Sequence, residues 1–141
     1  KLRIGIVLGH KGGALPYMLL PYRLGVGGRI GTGKQWLSWI HIEDMVRAIR
    51  FLIANDQIEG PVNGSAPHPV TNDQFGRTVG QVLRKPHWFP VPAALFKLLF
   101  GEMSVLLLEG QQVIPAKLLE HGFTFRYPTL EQALRRLARK P

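Results

Sequence analysis

A chain of 141 residues is long enough for one modest domain with a buried core, and its hydrophobic fraction of 45% is typical of a folded protein. The absence of cysteine excludes disulfide bonds and thiolate chemistry. The formal charge of +9 raises the question of a nucleic-acid partner, but the basic residues are spread along the chain without a nucleic-acid motif, which argues against one.

The first predicted element is a buried strand over residues 2–8, in which Gly5 allows close approach of a neighbouring strand. A helix over residues 14–24 follows, with Pro16 in its first turn and Pro21 expected to kink or end it. Because the chain opens directly in a strand pattern, we expect it to be part of a longer protein. The alternating apolar residues of the strand are Leu2, Ile4, Ile6 and Leu8.

The middle of the chain predicts a short strand over residues 36–40 and an amphipathic helix over residues 42–54. We expect His41 near the cap of this helix and Asp44 bonded to backbone donors. A weak strand over residues 61–66 comes next. The predicted apolar face of the helix consists of Ile42, Met45, Val46, Ile49, Leu52 and Ile53.

The next helix is predicted over residues 71–84, where Thr71 and Gln74 match a capping box. The alternation of strands and helices up to residue 85 indicates an α/β fold. Its strands are few for a complete doubly wound sheet. We therefore predict that residues 1–85 are the C-terminal part of a Rossmann-like, doubly wound parallel sheet.

Residues 86–141 read as a small, mainly helical C-terminal subdomain of short helices broken by proline and glycine. A helix is expected to end at His121-Gly122, and residues 123–127 read as a brief strand. Thr129 and Gln132 form a second candidate capping box before the last helix. The basic run over residues 135–140 is interpreted as a solvated helix face, opposite an apolar face made of Leu130, Ala133, Leu134 and Leu137.

A near match to a phosphate-binding loop lies at Gly28-x-x-x-x-Gly33-Lys34. Gln35 stands where the loop needs serine or threonine, and a strand pattern follows where a helix is required. A dinucleotide motif fails as well, because Ile30 occupies the position of its last glycine. We therefore exclude a nucleotide-phosphate loop in this stretch.

No constellation within the chain carries catalysis. The five histidines are scattered without metal-ligand spacing, and the serines lack a nucleophile-elbow context, so no catalytic residue and no metal site are predicted. Tyr17, Tyr22 and Tyr127 have no lysine four residues later.

The stretch "WIHIEDMVRAI" (residues 39–49) is similar to one in extended short-chain dehydrogenases/reductases, where an aromatic residue precedes hydrophobic-His-hydrophobic-x-Asp. Nearly the whole chain resembles the C-terminal half of one branch, the predicted nucleoside-diphosphate-sugar epimerases with a small C-terminal domain of their own. The matching segments include "RIGIVLGHKGGAL", "GPVNGSAPHPVTNDQFGRTVG" and "LLLEGQQVIPAKLLEHGFTFRYPTLEQAL". Arg29 departs from the family, which commonly has proline there.

The resemblance implies that the complete protein is an NAD(P)-dependent epimerase or oxidoreductase with a sugar-nucleotide-like substrate, and NADP is preferred over NAD. It places the glycine-rich cofactor loop and the catalytic Tyr-x-x-x-Lys upstream of this chain, which alone should be inactive. It also implies that Gly5, Ile6, Val7 and Leu8 line the nicotinamide end of the cofactor. The alternative role for these residues is sheet packing, which is the stronger interpretation for Ile6.

On the substrate side, the resemblance points to Lys34, Gln35 and Trp39, with Lys34 able to meet a phosphate. A different class of function is a non-catalytic basic binding or interaction module, which the charge and the lack of catalytic residues favour. We expect the protein to be located in the cytoplasm or in an organelle, without a membrane anchor. A homodimer is compatible with the resemblance, and residues 2–8 alone would form a hydrophobic edge that pairs between chains.

Overall fold

The computed structural model describes residues 2–10, 13–108 and 110–138. Six short strands and seven helices lie within these residues, which confirms the predicted α/β class. No helix in this part of the chain is long and apolar enough to cross a membrane. The strands are β1 (Leu2–Ile4), β2 (Ile6–Leu8), β3 (Trp36–Leu37), β4 (Trp39–His41), β5 (Val62–Gly64) and β6 (Val70–Thr71). The helices are α1 (Leu15–Arg23), α2 (Ile42–Ala54), α3 (Asn72–Leu83), α4 (Ala93–Phe100), α5 (Met103–Leu108), α6 (Ala116–Glu120) and α7 (Leu130–Ala138).

Gly5 divides the first predicted strand into β1 and β2, which pair with different partners. β1 runs parallel to β5, whereas β2 runs parallel to β4. The change of partner occurs where the Gly5 N–H donates to the Gly64 carbonyl (3.1 Å) and the Ile6 N–H donates to the Ser38 carbonyl (2.8 Å). A Cβ at Gly5 would lie 2.6 Å from the Ser38 oxygen, so only glycine permits this approach.

The second predicted strand, residues 36–40, is likewise two strands. β3 pairs antiparallel with β6, with Trp36 opposite Thr71, while β4 continues after Ser38 beside β2. β6 lies at the start of a segment that the sequence predicts as helical. The described strands therefore form three two-stranded pairs, and the two parallel pairs agree with the predicted parallel sheet.

The buried faces of two predicted elements differ from the expectation. Ile4 is 52% exposed because β1 has a single neighbouring strand among the described residues. α2 has the predicted bounds, but only part of its predicted apolar stripe is buried: Met45 and the partly buried Leu52 face the core, together with Ala48 and Asp44. The exposed members of that stripe are Ile42, Val46, Ile49 and Ile53.

A buried carboxylate attaches the C-terminal segment to α2. Asp44 is fully buried and accepts the backbone N–H groups of Arg126 and Tyr127 and a guanidinium N–H of Arg47, each at 2.9 Å. The expectation that Asp44 bonds backbone donors is confirmed. The predicted strand over residues 123–127 is wrong, because this segment bonds to a side chain and has no neighbouring strand.

Local helix signals are confirmed. Thr71 and Gln74 exchange the two hydrogen bonds of a capping box, and Thr129 and Gln132 do the same at the start of α7. Gly122 follows α6 with a φ of +85°, the left-handed conformation that glycine favours.

α1 runs through Pro21 and ends at Arg23. The buried face of α7 is the predicted set of Leu130, Ala133, Leu134 and Leu137, whereas residues 139–140 of the basic run lie outside the described residues.

Two hydrophobic clusters form the core, and both join residues from before and after Pro86. The larger cluster packs α1 and α3 against α7 and includes Trp39. The smaller one joins Ile40 and Met45 to Leu118 and Phe123. The C-terminal helices therefore complete the packing of the strands and helices that precede them. The division at residue 86 into two domains stays a prediction.

A chain of hydrogen bonds ties the segment after α3 to α1. His87 lies between the other two side chains, with its Nε2 2.8 Å from Asp73 Oδ1 and its Nδ1 2.8 Å from the Tyr22 hydroxyl. Arg77 Nε donates to the other oxygen of Asp73 at 2.8 Å. The hydrogen bonds from His87 and Arg77 lower the pKa of Asp73, while burial raises the pKa of Tyr22. The carboxylate of Asp73 thus holds this network together.

Asp44→Asn is expected to lower the free energy of unfolding by about 2–4 kcal/mol, because an amide has one acceptor oxygen for three donors and leaves buried donors unpaired. Urea denaturation of the variant measures this loss. Asp56→Asn, at an exposed aspartate in the turn after α2, is the matched control and should change stability by less than about 0.5 kcal/mol. Equal losses in the two variants would contradict the role of Asp44.

Asp73→Asn should lower the free energy of unfolding by about 1 kcal/mol at neutral pH, a modest loss because the Asp73 side chain is 31% exposed. The folded pKa of Asp73 is lowered, so its contribution is complete above the unfolded value of about 4 and is lost as the pH falls through the folded pKa. The difference between variant and parent should therefore disappear in acid. Urea denaturation across this pH range tests it, and a constant difference would contradict it.

Candidate functional site

An open cleft of about 480 Å³ lies beside the point where β1 gives way to β2. One wall comes from the strand backbone and the start of α1, and the opposite wall from α5 and the segment after it. The residues that line it include Gly5, Ile6, Val7, Gly13, Ala14, Trp36, Ser38, Val105, Gln111 and Val113.

Ser38 connects the two walls of the cleft. Its backbone carbonyl accepts the N–H of Ile6, as described above, while its hydroxyl donates to the Gln111 carbonyl (2.6 Å) and accepts the Val113 N–H (2.9 Å). A single serine in the break between β3 and β4 therefore fixes the segment at residues 110–113 over the strand.

The lining of the cleft has no charged side chain among the described residues. It offers aliphatic surface from Ile6 and Val7, the indole of Trp36 and the amide of Gln111. Such a surface suits an uncharged, planar group more than a phosphate, because a phosphate requires cations or several N–H donors.

The structure brings three of the four predicted cofactor-side residues together. Gly5, Ile6 and Val7 line the cleft, whereas Leu8 is fully buried in the core. The roles of all four in binding a cofactor stay predictions.

The three predicted substrate-side residues do not line the cleft. Lys34 is exposed on the loop before β3. The Gln35 amide donates to the carbonyls of Ile30 (3.0 Å) and Leu107 (3.3 Å). Trp39 is 1% exposed, and its indole N–H donates to the His68 carbonyl (3.0 Å). Gln35 and Trp39 thus position neighbouring segments, and substrate contact by these three residues stays a prediction.

The sequence contains no signal for the pairing of Ser38 with Gln111. The two residues are 73 positions apart, and neither belongs to a motif with catalytic or binding chemistry. Only the folded chain shows that they meet.

In the near match to a phosphate-binding loop, the glycines allow close packing and a turn of the backbone. Gly28 lies against the backbone of Phe89, where a Cβ would come within 2.0 Å of the carbonyl oxygen. Gly33 closes a turn by donating its N–H to the Ile30 carbonyl (3.1 Å). A strand follows Lys34, as the sequence predicts, so the glycines of this stretch have structural explanations.

His41 caps α2 as expected. Its Nδ1 accepts the Glu43 N–H (3.0 Å), and its ring stacks on Tyr127 with centroids 4.1 Å apart. Burial lowers the pKa of His41, which keeps the imidazole neutral and suited to accept this bond. In the described part of the chain, no three histidine or acidic side chains converge in a way that could hold a metal ion.

A second cavity, of about 210 Å³, lies between α1, α3 and α4. We call it the apolar cavity, since aromatic and aliphatic side chains such as Tyr17, Met18, Phe75 and Phe96 form most of its wall. None of the predicted site residues lines it.

Comparison with known sequences finds several similar proteins. Residues 91–137 match the family model described as "Domain of unknown function (DUF1731)". The chain is 50% identical over 135 residues to the epimerase family protein YfhF of Bacillus subtilis, covering 96% of this chain and 44% of that protein. It is 45% identical over 138 residues to the epimerase family protein SAR0825 of Staphylococcus aureus, covering 98% and 46%. The chain thus spans less than half the length of these curated relatives.

Solved structures give the same result. The crystal structure of human epimerase family protein SDR39U1 (isoform 2) with NADPH superposes with a TM-score of 0.89 at 41% identity, covering 97% of this chain and 47% of that one. A nucleoside-diphosphate sugar epimerase from Corynebacterium glutamicum gives 0.74 at 29% identity, covering 96% and 25%. These neighbours are Rossmann-like, and the chain matches the C-terminal part of their fold.

The sequence similarity and the superposition therefore lead to one assignment: the chain corresponds to the C-terminal part of an epimerase family protein of the extended short-chain dehydrogenase/reductase type.

Proposed function

We propose that this chain forms one wall of the active site of an NAD(P)-dependent epimerase or oxidoreductase. The observation that carries the proposal is the uncharged cleft formed by Gly5, Ile6 and Val7, in a chain 41% identical to part of a protein crystallised with NADPH. In doubly wound proteins, ligands bind outside the carboxyl ends of the strands, and the cleft lies where β1 ends. The NADPH of that relative also supports NADP over NAD.

The residues present fit one end of such a cofactor. The reduced nicotinamide ring is nearly planar and uncharged, which suits the lining of the cleft, and a volume of about 480 Å³ is enough for the ring and its sugar. The sequence has no match to the Gly-x-Gly-x-x-Gly motif that holds the phosphates of a dinucleotide. The rest of the cofactor is therefore proposed to bind outside this chain.

This chain is proposed to bind one end of the cofactor and to orient it. The bound cofactor supplies or accepts the hydride. Ile6 and Val7 cover one face of the cleft with aliphatic surface and exclude water, while Ser38 holds the segment at Gln111 in place opposite them. The acid and base of the reaction, the Tyr-x-x-x-Lys pair that the family resemblance implies, are proposed to come from outside the chain.

The proposed substrate is a small molecule of the sugar-nucleotide class, which is the class named for the Corynebacterium glutamicum neighbour. Lys34, which is exposed, is the proposed phosphate contact. Gln35 is proposed to act through the loop that carries Lys34, because its amide bonds to the Ile30 carbonyl of that loop. Trp39 is proposed to act through the segment at His68, to whose carbonyl its indole N–H donates.

The exposed apolar surface of Ile4 and of the α2 stripe is proposed to pack against the rest of the protein. Ile4 is 52% exposed and Ile53 is 77% exposed, and apolar surface of this kind is usually covered. The curated relatives are about twice as long as this chain, which leaves ample polypeptide to cover it.

In the full-length protein, Val7→Trp should raise the Kd for NADPH at least about tenfold, since the indole would occupy space proposed for the nicotinamide end. Gln111→Trp, on the opposite wall at an exposed position, should do the same with less risk to folding. Isothermal titration calorimetry measures both. Gln57→Trp, at an exposed polar position in the turn after α2 and outside the cleft, is the control. An unchanged Kd in folded Val7→Trp and Gln111→Trp proteins would refute this placement of the cofactor.

The isolated 141-residue chain should bind NADPH at least about 100-fold more weakly than the full-length protein, because the phosphate-binding elements are proposed to lie outside it. Calorimetry of the two proteins under the same conditions makes the comparison. Micromolar binding by the chain alone would place the cofactor site within it and overturn the proposed arrangement.

A further inference from the structure

The apolar cavity is a ligand-sized space whose wall carries no charge. Among its described lining residues there is no acidic or basic side chain, and three helices close most of it. The residues at its rim are partly exposed, with Tyr17 at 50%, Phe89 at 44% and Leu95 at 42%, so the space is reached from solvent between them.

One polar side chain in the wall is incompletely paired. Asn72 is 4% exposed and lines the cavity. Its Oδ1 accepts the Ile30 N–H at 2.7 Å, which fixes the orientation of the amide. The other polar atom of the amide, Nδ2, has no hydrogen-bond partner among the described residues and is not one of their fully buried unpaired atoms, so it is accessible. It is therefore free to donate to an acceptor that a ligand brings into the cavity.

The Tyr22 hydroxyl does not play the same part. It is hydrogen-bonded to Nδ1 of His87 at 2.8 Å and donates to the Gly28 carbonyl at 3.3 Å, so it already has partners within the protein. Asn72 is therefore the polar group that would orient a ligand in this cavity.

We propose that the apolar cavity binds a small, uncharged molecule with one ring and one hydrogen-bond acceptor, the acceptor pairing with Nδ2 of Asn72. An apolar cavity of about 150 Å³ holds benzene, so about 210 Å³ holds one ring with a short substituent. A phosphate or a sugar would leave charge or several hydroxyls unpaired against this wall, which is strongly unfavourable. The site is thus distinct in chemistry from a sugar-nucleotide site and needs no cofactor.

The binding test uses the full-length protein without cofactor and three probes. Acetophenone supplies a ring and one acceptor, ethylbenzene has nearly the same shape without the acceptor, and UDP-glucose represents the sugar nucleotides. Calorimetry should show acetophenone binding with a Kd of about 1 mM or lower, about 2- to 10-fold tighter than ethylbenzene, as expected for one neutral hydrogen bond. No binding of acetophenone to the folded protein overturns the proposal.

Two variants locate the ligand. Leu95→Trp fills the cavity from its rim and should abolish binding of both ring probes, whereas Leu98→Trp, on the same helix but 82% exposed and outside the lining, should leave binding unchanged. Asn72→Asp keeps an acceptor for the Ile30 N–H and removes the donor, and a carboxylate is tolerated in the first turn of α3. In this variant the advantage of acetophenone over ethylbenzene should disappear.

Each other result counts against the site. Acetophenone binding that survives in folded Leu95→Trp protein would place the ligand elsewhere. An advantage for acetophenone that persists in Asn72→Asp would remove the amide from recognition. UDP-glucose binding that Leu95→Trp abolishes would assign the cavity to a sugar nucleotide. Because no probe involves NADPH, failure here leaves the proposed cofactor cleft untouched, and the reverse also holds.

Discussion

The carboxylate of Asp44 is the interaction on which the remaining arrangement depends. It is fully buried at the start of α2 and collects two backbone N–H groups from residues 126–127 together with Arg47. The two backbone donors lie 82 and 83 residues further along the chain, so the side chain of Asp44 closes a very long loop. The segment that it holds, residues 123–127, carries Phe123 and Phe125 into the smaller core cluster and leads directly into α7.

The cleft depends on a second long-range connection of the same kind. Ser38 bonds to the backbone of residues 111 and 113, which belong to the segment between α5 and α6. Together Asp44 and Ser38 fix the C-terminal helices over the strands at two places. The cleft exists because glycine at position 5 lets the strand approach Ser38 and because Ser38 then reaches across to the opposite wall.

Features encoded within a few residues could be predicted from the sequence, and features that join distant segments could not. The bounds of α2, the two capping boxes and the buried face of α7 follow from local spacing. The stripe of α2 that is exposed misled the prediction, because periodicity identifies the most apolar face but not the face that has a neighbour. The strand predicted over residues 123–127 was wrong for a related reason. An alternating apolar pattern looks the same in the sequence whether the backbone N–H groups of the segment bond to a neighbouring strand or to a buried carboxylate.

The same distinction separates the two cavities. Gly5, Ile6 and Val7 could be proposed as cleft residues from family resemblance, since they are contiguous. Asn72 lacked any such signal: its partner Ile30 is 42 positions away, and its sequence context is an ordinary helix start. Ala14, the N-cap residue of α1, lines the cleft, whereas Tyr22, within α1, lines the apolar cavity, so α1 and its cap border two spaces of different character.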